Sequence, residues 1–145
     1  MTATTIMSAC QTILPASSAI QQTLIEAGID VLSGAFPALI LTCPKTREKR
    51  FGAGLKQETH TIHCQYLDRW ETSTRSTGQL VADCRVALEQ MKANLRASHT
   101  LAGNAIRSGE SIDTDVQGPI GDPGIGFPLF AASVQFDVDD FVIPG

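Results

Sequence analysis

Alternation of apolar and polar side chains organises the back half of this chain. Over Thr59–Leu67, Ile62, Cys64 and Tyr66 fall on one side, and Thr61, His63 and Gln65 on the other. That period of two predicts a strand with one packed face. The period then changes. Leu80, Cys84, Leu88, Met91 and Leu95 are spaced 4, 4, 3 and 4 residues apart, one apolar stripe on a helix of about Ser76–Ser98. Ser76 followed by Gln79 is a capping-box pair, in which each side chain satisfies a free backbone N–H. Arg85, Glu89, Lys92 and Arg96 occupy a separate, solvated face. Gly103 lies beyond the expected end. Period two returns where Ile112, Thr114 and Val116 alternate with Asp113 and Asp115. It returns again over Leu129–Val138, with Phe130, Ala132, Val134, Phe136 and Val138 against Ser133, Gln135 and Asp137.

The front half is less regular. Ile6, Cys10, Ile13 and Leu14 have helical spacing, and Pro15 breaks or restarts that helix. Ile20, Leu24 and Ile25 continue an apolar stripe to Gly28, so one or two N-terminal helices are expected. Phe36–Cys43 is an apolar run that predicts a buried strand. Pro44–Gln57 follows, fourteen residues with Gly52 and Gly54, expected as a long loop. Gly118–Gly126 holds four glycines and two prolines in nine residues, which predicts turns. The resulting fold class is α+β in a single domain, 1–145. An antiparallel or mixed four-stranded sheet packs against the long helix and the N-terminal helix or helices. Residues 1–15 are expected as a flexible extension, with long loops at 44–57 and 118–126.

Charge changes this picture more than composition does. The 43% hydrophobic content suits a globular core, and the net charge of −4 is mild. The distribution is uneven. Lys45, Arg47, Lys49, Arg50 and Lys56 stand close together with Glu48 as the one acid among Lys45–Lys56. After Arg107 there is no basic residue, while Glu110, Asp113, Asp115, Asp122, Asp137, Asp139 and Asp140 follow. Such separation steers self-association or a charged partner. No run of residues has the length and apolarity of a membrane span. The uncharged first 25 residues lack the basic start of a signal peptide, so the expectation is a soluble, unexported chain. Four cysteines without a Cys-x-x-Cys pair suit buried free thiols in a reducing compartment.

Catalytic and ligand-binding groupings were sought in the same residues. His60 and His63 are three apart on a strand and face opposite sides, so they do not share a metal readily. Asp137 and Asp139 share a face without a defined set of further ligands. Neither Gly52-Ala-Gly54 nor Gly118–Gly126 has the spacing of a nucleotide loop. No Gly-x-Ser-x-Gly elbow occurs. The basic cluster with Phe51 is the one support for nucleic-acid binding, and overall acidity opposes tight duplex binding. The chain is expected to be no enzyme and to need no cofactor.

The order of elements resembles the tail-terminator (tail-completion) proteins of long-tailed bacteriophages. The segments that carry the resemblance are Glu58–Arg69, Leu80–Leu95, Ser111–Val116 and Pro128–Val138. The likeness is one of pattern over about Ile20 to Val138, and neck and connector proteins of the same virions share it. It implies a hexameric ring, assembled in the host cytoplasm into the virion. Such a ring binds the last tail-tube subunits, ends their polymerisation, and meets the head connector, with DNA passing through its lumen unrecognised. A long hairpin loop would lie at Pro44–Gln57. On this reading, Lys45, Arg47, Lys49, Arg50, Phe51, Lys56, Asp122, Ile125, Asp137 and Asp139 are the subunit-contact candidates. The alternatives are a neck or head-closure protein, or a small cytoplasmic ligand-binding domain or enzyme. The last would place a pocket rimmed by His60, His63 and Tyr66.

Overall fold

The computed structural model describes residues 3–16, 19–28, 35–71, 73, 75–101 and 107–142. In order along the chain they form α1 (Ala3–Ile13), β1 (Gln22–Ile25), β2 (Ala38–Arg50) and β3 (Lys56–Arg69). These lead into α2 (Thr77–Ala97), β4 (Arg107–Gly121) and β5 (Leu129–Val142). The class is α+β. Among the described residues the sheet has five strands in the order β1-β2-β3-β5-β4, not four. It is mixed: β1 runs parallel to β2, and every other neighbouring pair is antiparallel.

The additional strand corrects the N-terminal expectation. Leu24 and Ile25 do not continue a helical stripe. They lie in β1, paired with Ile40 and Leu41. Pro15 ends the helical path, and the chain then lies along the edge of β2. The Gln11 side-chain amide donates to the Thr23 carbonyl at 2.8 Å, tying α1 to this edge. Nor is the N-terminus a loose extension: Ile6, Met7, Cys10 and Leu14 are fully buried. Gly103 lies outside the described residues.

One face of the sheet carries most of the core. Ile62, Cys64 and Tyr66 of β3 join Phe130, Val134 and Phe136 of β5 in one buried cluster. The α2 stripe, Leu80, Cys84, Leu88, Met91 and Leu95, closes over it, and α1 adds Ile6, Met7 and Cys10. Each such side chain contributes about 1.5–3 kcal/mol when fully removed from water. The Ser76 hydroxyl accepts from the Gln79 N–H at 3.1 Å, which starts α2. The second half of the expected capping box is replaced: the Gln79 amide donates forward to Asp83 Oδ1 at 2.8 Å. Asn94 donates to the carbonyls of Leu14 and Ala16 at 2.9 and 2.7 Å, fastening the end of α1 to α2.

The expected loop at 44–57 is largely strand, and the one at 118–126 is strand as far as Gly121 and turn from there on. Lys45–Arg50 pairs with Lys56–Thr61, so the fourteen-residue segment is the outer half of a hairpin with Phe51–Leu55 as its tip. Pro44 sits where the register shifts between Thr42 and Lys45, a bulge that accommodates a residue without a ladder N–H. Gly118 and Gly121 likewise pair within β4, beside register shifts at Val116/Gly118 and Pro119/Gly121. Those glycines take φ of 90° and 79°, values that side chains disfavour. The turn is confined to the residues after Gly121.

Candidate assembly surface

The strand register fixes which side chains share a face. Opposite α2, the inner end of the sheet is sealed by a second small cluster, Ile40, Leu67, Leu129 and Ala131, with Phe36, Ile125 and Phe127 packed against it. Phe36 and Phe127 meet edge to face at 5.5 Å, and the Arg69 guanidinium lies 4.0 Å above the Phe127 ring. Beyond this cluster the same face becomes polar. Lys45 and Arg47 of β2 stand opposite Thr61 and Thr59 of β3, and these stand opposite Asp137 and Asp139 of β5. The threonine hydroxyls donate to the two carboxylates, Thr61 to Asp137 at 2.9 Å and Thr59 to Asp139 at 2.7 Å. Asp113 and Asp115 of β4 lie in the same face, opposite Gln135 and Ser133. The face therefore grades from a basic edge on β2, through hydroxyls, to carboxylates on β5 and β4, with Arg107 at the start of β4 opposite Asp139.

The structure brings six of the ten sequence candidates together. Lys45, Arg47, Lys49, Phe51, Asp137 and Asp139 belong to the outer half of this face and its tip. Phe51 and Phe141 are 40% and 45% exposed and meet edge to face at 6.2 Å. Lys49 Nζ lies 5.5 Å from the centre of the Phe51 ring, within reach of a cation–π attraction. Arg50 and Lys56 turn to the other side of the hairpin, where both pair with Glu48, at 3.2 and 2.8 Å. Lys56, with Arg50 second, holds the Glu48 carboxyl below its ordinary pKa. Both bridges are open to solvent, where screening leaves them little weight in stability.

Asp122 and Ile125 lie at the opposite end of the sheet, in the β4–β5 connection. Asp122 Oδ1 accepts from the N–H groups of Gly124, Ile125 and Gly126 at 2.8, 2.9 and 3.2 Å. These bonds, Gly124 first, lower its pKa, and they fold the loop on itself as an aspartate-led turn. Ile125 packs inward on the second cluster. Their local contacts are those of a turn and of a core.

The histidines part as the strand period requires. His60 is 2% exposed, with Nδ1 2.9 Å from Thr46 Oγ1 and Nε2 3.3 Å from Glu58 Oε2. His63 lies on the opposite face, beside Gln135. The pocket expected at His60, His63 and Tyr66 therefore does not form around both histidines. A cleft of about 510 Å³ lies instead against Tyr66, Asp68, Pro37 and the middle of α2, at Asp83, Val86 and Gln90. Arg75 crosses it, 2.9 Å from Asp68 Oδ2 and 2.9 Å from Asp83 Oδ2. Arg75, then Gln79, lowers the Asp83 pKa, and burial raises that of the Tyr66 phenol. Among the described residues no group of three or more His, Cys, Asp or Glu is placed to hold a metal ion. No described helix is long and apolar enough to cross a membrane.

Two features of this surface escaped the sequence reading. Asp113 and Asp115 were visible as a strand face but not as the far edge of the charge gradient. Phe141 was not singled out at all, because its partner Phe51 is 90 positions away in the chain. The signal for both is strand order, which alternation alone does not encode.

The fold and this surface define an α+β domain whose sheet carries a charge-graded outer half. Compared with models of known protein families and with curated proteins, the chain matches none.

Proposed function

We propose that this chain is a structural ring protein of a bacteriophage tail, one that caps the tail tube, ends its polymerisation and joins it to the head connector. The observation that supports it most is the arm formed by the outer half of the β2–β3 hairpin. It carries a basic row on a stretch of β2 that has no second strand neighbour among the described residues, while β4 at the opposite edge carries Asp113 and Asp115 on the same face. One copy thus presents two unlike, complementary sides, which suits head-to-tail contacts that close into a ring. The same geometry suits a neck or head-closure ring of the virion, which differs in what it touches above and below. The partners on this reading are further copies of the chain, the tail-tube protein and the connector, with DNA passing through the lumen.

Light scattering and native mass spectrometry of the purified chain should find a closed oligomer, six copies on the tail-terminator reading. Adding it to polymerising tail-tube subunits of the same virion should stop tube growth, and adding it to preformed connectors alone should not suffice. A chain monomeric both in solution and in particles would overturn the proposal. Binding to connectors with no effect on tubes would move it to the neck.

The cleft beside Tyr66, Asp68 and Arg75 favours a second reading, a small ligand-binding domain. A ligand at a hundred times its Kd should add about 2.7 kcal/mol of stability. A thermal screen of metals and small polar metabolites that moves Tm for none of them would remove that reading.

A further inference from the structure

Resting on the ring reading, we infer that neighbouring copies join by strand addition, β4 of one copy pairing with the outer half of β2 of the next. Two open edges make this possible. Among the described residues β1 covers β2 only at Ala38–Leu41, and Lys45–Arg50 has a strand neighbour on one side, β3. β4 is the last strand at the other side of the sheet. Exposed edges of this kind are templates for another strand.

Strand direction favours the pairing. β2, β3, β5 and β4 alternate in direction, so β4 runs antiparallel to β2. A second copy set beside the first in the same orientation therefore meets it as an antiparallel pair. Its helices stay on the same side of the enlarged sheet, and its charged rows stay on the other.

Charge and parity then choose the register. Paired residues must share a face. Lys49 beside Asp113 and Arg47 beside Asp115 satisfies this, since all four belong to the face opposite α2. All four are exposed, and among the described residues none of them enters a salt bridge within the chain. In this register the incoming β4 ends level with Thr42, just short of Leu41, the last residue of β2 that β1 covers among the described residues.

The same register offsets each copy by six residues along the strands, about 20 Å at the usual rise per residue. Four strands span about 19 Å across. The slope is about 45°, at the upper end of the strand tilt that closes a sheet into a barrel. Stagger between copies thus bends toward closure and away from an open ribbon.

Charge reversal on the full chain tests this. Arg47→Glu with Lys49→Glu, and separately Asp113→Lys with Asp115→Lys, should each weaken self-association more than tenfold at low salt, with circular dichroism unchanged. All four changes in one chain should restore it. Mixing the two reversed chains in equal amounts should restore it as well, in even-numbered assemblies. A wild-type chain that stays monomeric overturns the ring reading and this inference together. A wild-type oligomer that tolerates both reversals, or that the four-fold variant fails to restore, overturns strand addition while leaving the ring.

Discussion

The inner and outer halves of the β2–β3–β5 sheet are built from the same strands and behave as different materials. In the inner half, Leu39 and Leu41, Ile62 and Cys64, and Val134 and Phe136 are buried under α1 and α2. The opposite face there is closed by Ile40, Leu67 and Leu129. In the outer half, every residue from Pro44 to Phe51 is exposed. Hydrogen bonding continues across the boundary, but apolar burial largely stops. The inner half supplies the free energy of folding, and the outer half uses that rigidity to display charge. Charged side chains such as Lys45, Arg47 and Lys49 are also how a strand edge avoids indiscriminate pairing.

The largest expected effect lies at the centre of the inner half. Leu88 is 3% exposed, in the middle of the α2 stripe. Leu88→Asp removes its packing and places an unpaired carboxylate in the core. The loss is expected to exceed about 5 kcal/mol, enough to unfold a domain at the low end of the usual stability range. Loss of the cooperative thermal transition checks it. A folded variant would mean that α2 is not needed to seal the sheet, and the contrast between the two halves would fail.

Alkaline pH should act next, and on the same half. Burial pushes the Cys10 thiol up to about 12 and the Cys84 thiol up to about 11. It raises Cys64 and the Tyr66 phenol further still. The sign follows from these directions. Unfolded thiols ionise from about pH 9 upward, while the folded ones hold their protons. The folded state then binds more protons, so its stability is complete below pH 9 and falls as pH rises. Each buried thiol removes roughly 1.4 kcal/mol per pH unit in that window. Tm should therefore fall steeply between pH 9 and 11 and recover on return to neutral pH. A flat profile would show that these thiols are hydrated.

How much of this was legible in the sequence divides along the same line. Where strands are buried on one face, Ile62-His63-Cys64-Gln65-Tyr66 and Phe130 to Val138 alternate clearly, because the core imposes a period of two. The α2 stripe was equally plain. The arm was not. Lys45–Arg50 is wet on both faces, so no alternation marks it, and Pro44 and Gly52 read as loop. β1 was mistaken for helix because four residues, Gln22–Ile25, are too few to show a period. The charge separation could be read directly, but its meaning required strand order. Only the sheet shows that Lys45 and Asp137 share a face with Thr61 between them.

A pair of glycine substitutions sharpens the contrast at smaller cost. Gly109 has φ of 65°, and an added Cβ would stand 2.6 Å from Leu95 Cδ2 and 2.9 Å from its Cγ. Gly118 has φ of 90° but open space around it. Gly109→Ala meets backbone strain and overpacking together, about 2–4 kcal/mol. Gly118→Ala meets strain alone, about 1–2 kcal/mol. Denaturant midpoints should rank them in that order. Equal losses would mean that the Leu95 end of α2 yields freely, and the inner half would be softer than its burial implies.

The smallest effect belongs to the arm and has the opposite sign. Ala53 sits in the hairpin tip with φ of 64°, followed by Gly54 at 78°. The Phe51 N–H bonds to the Leu55 carbonyl across this turn at 2.8 Å. A side chain in the left-handed region costs about 1–2 kcal/mol, and Ala53 touches none of the core. Ala53→Gly removes that strain and returns part of the gain as extra freedom of the unfolded chain. The net is a stabilisation of about 0.5 kcal/mol, or about 1–2 °C in Tm for a domain of this size. Amide exchange separates its two parts. Protection should rise at the Phe51 amide, whose bond to the Leu55 carbonyl reports local opening of the tip, and change at Cys64 and Val134 only as far as global stability does. If exchange slowed equally at all three amides, the arm and the core would open as one unit. The outer half would then be an extension of the core in energy as well as in hydrogen bonding.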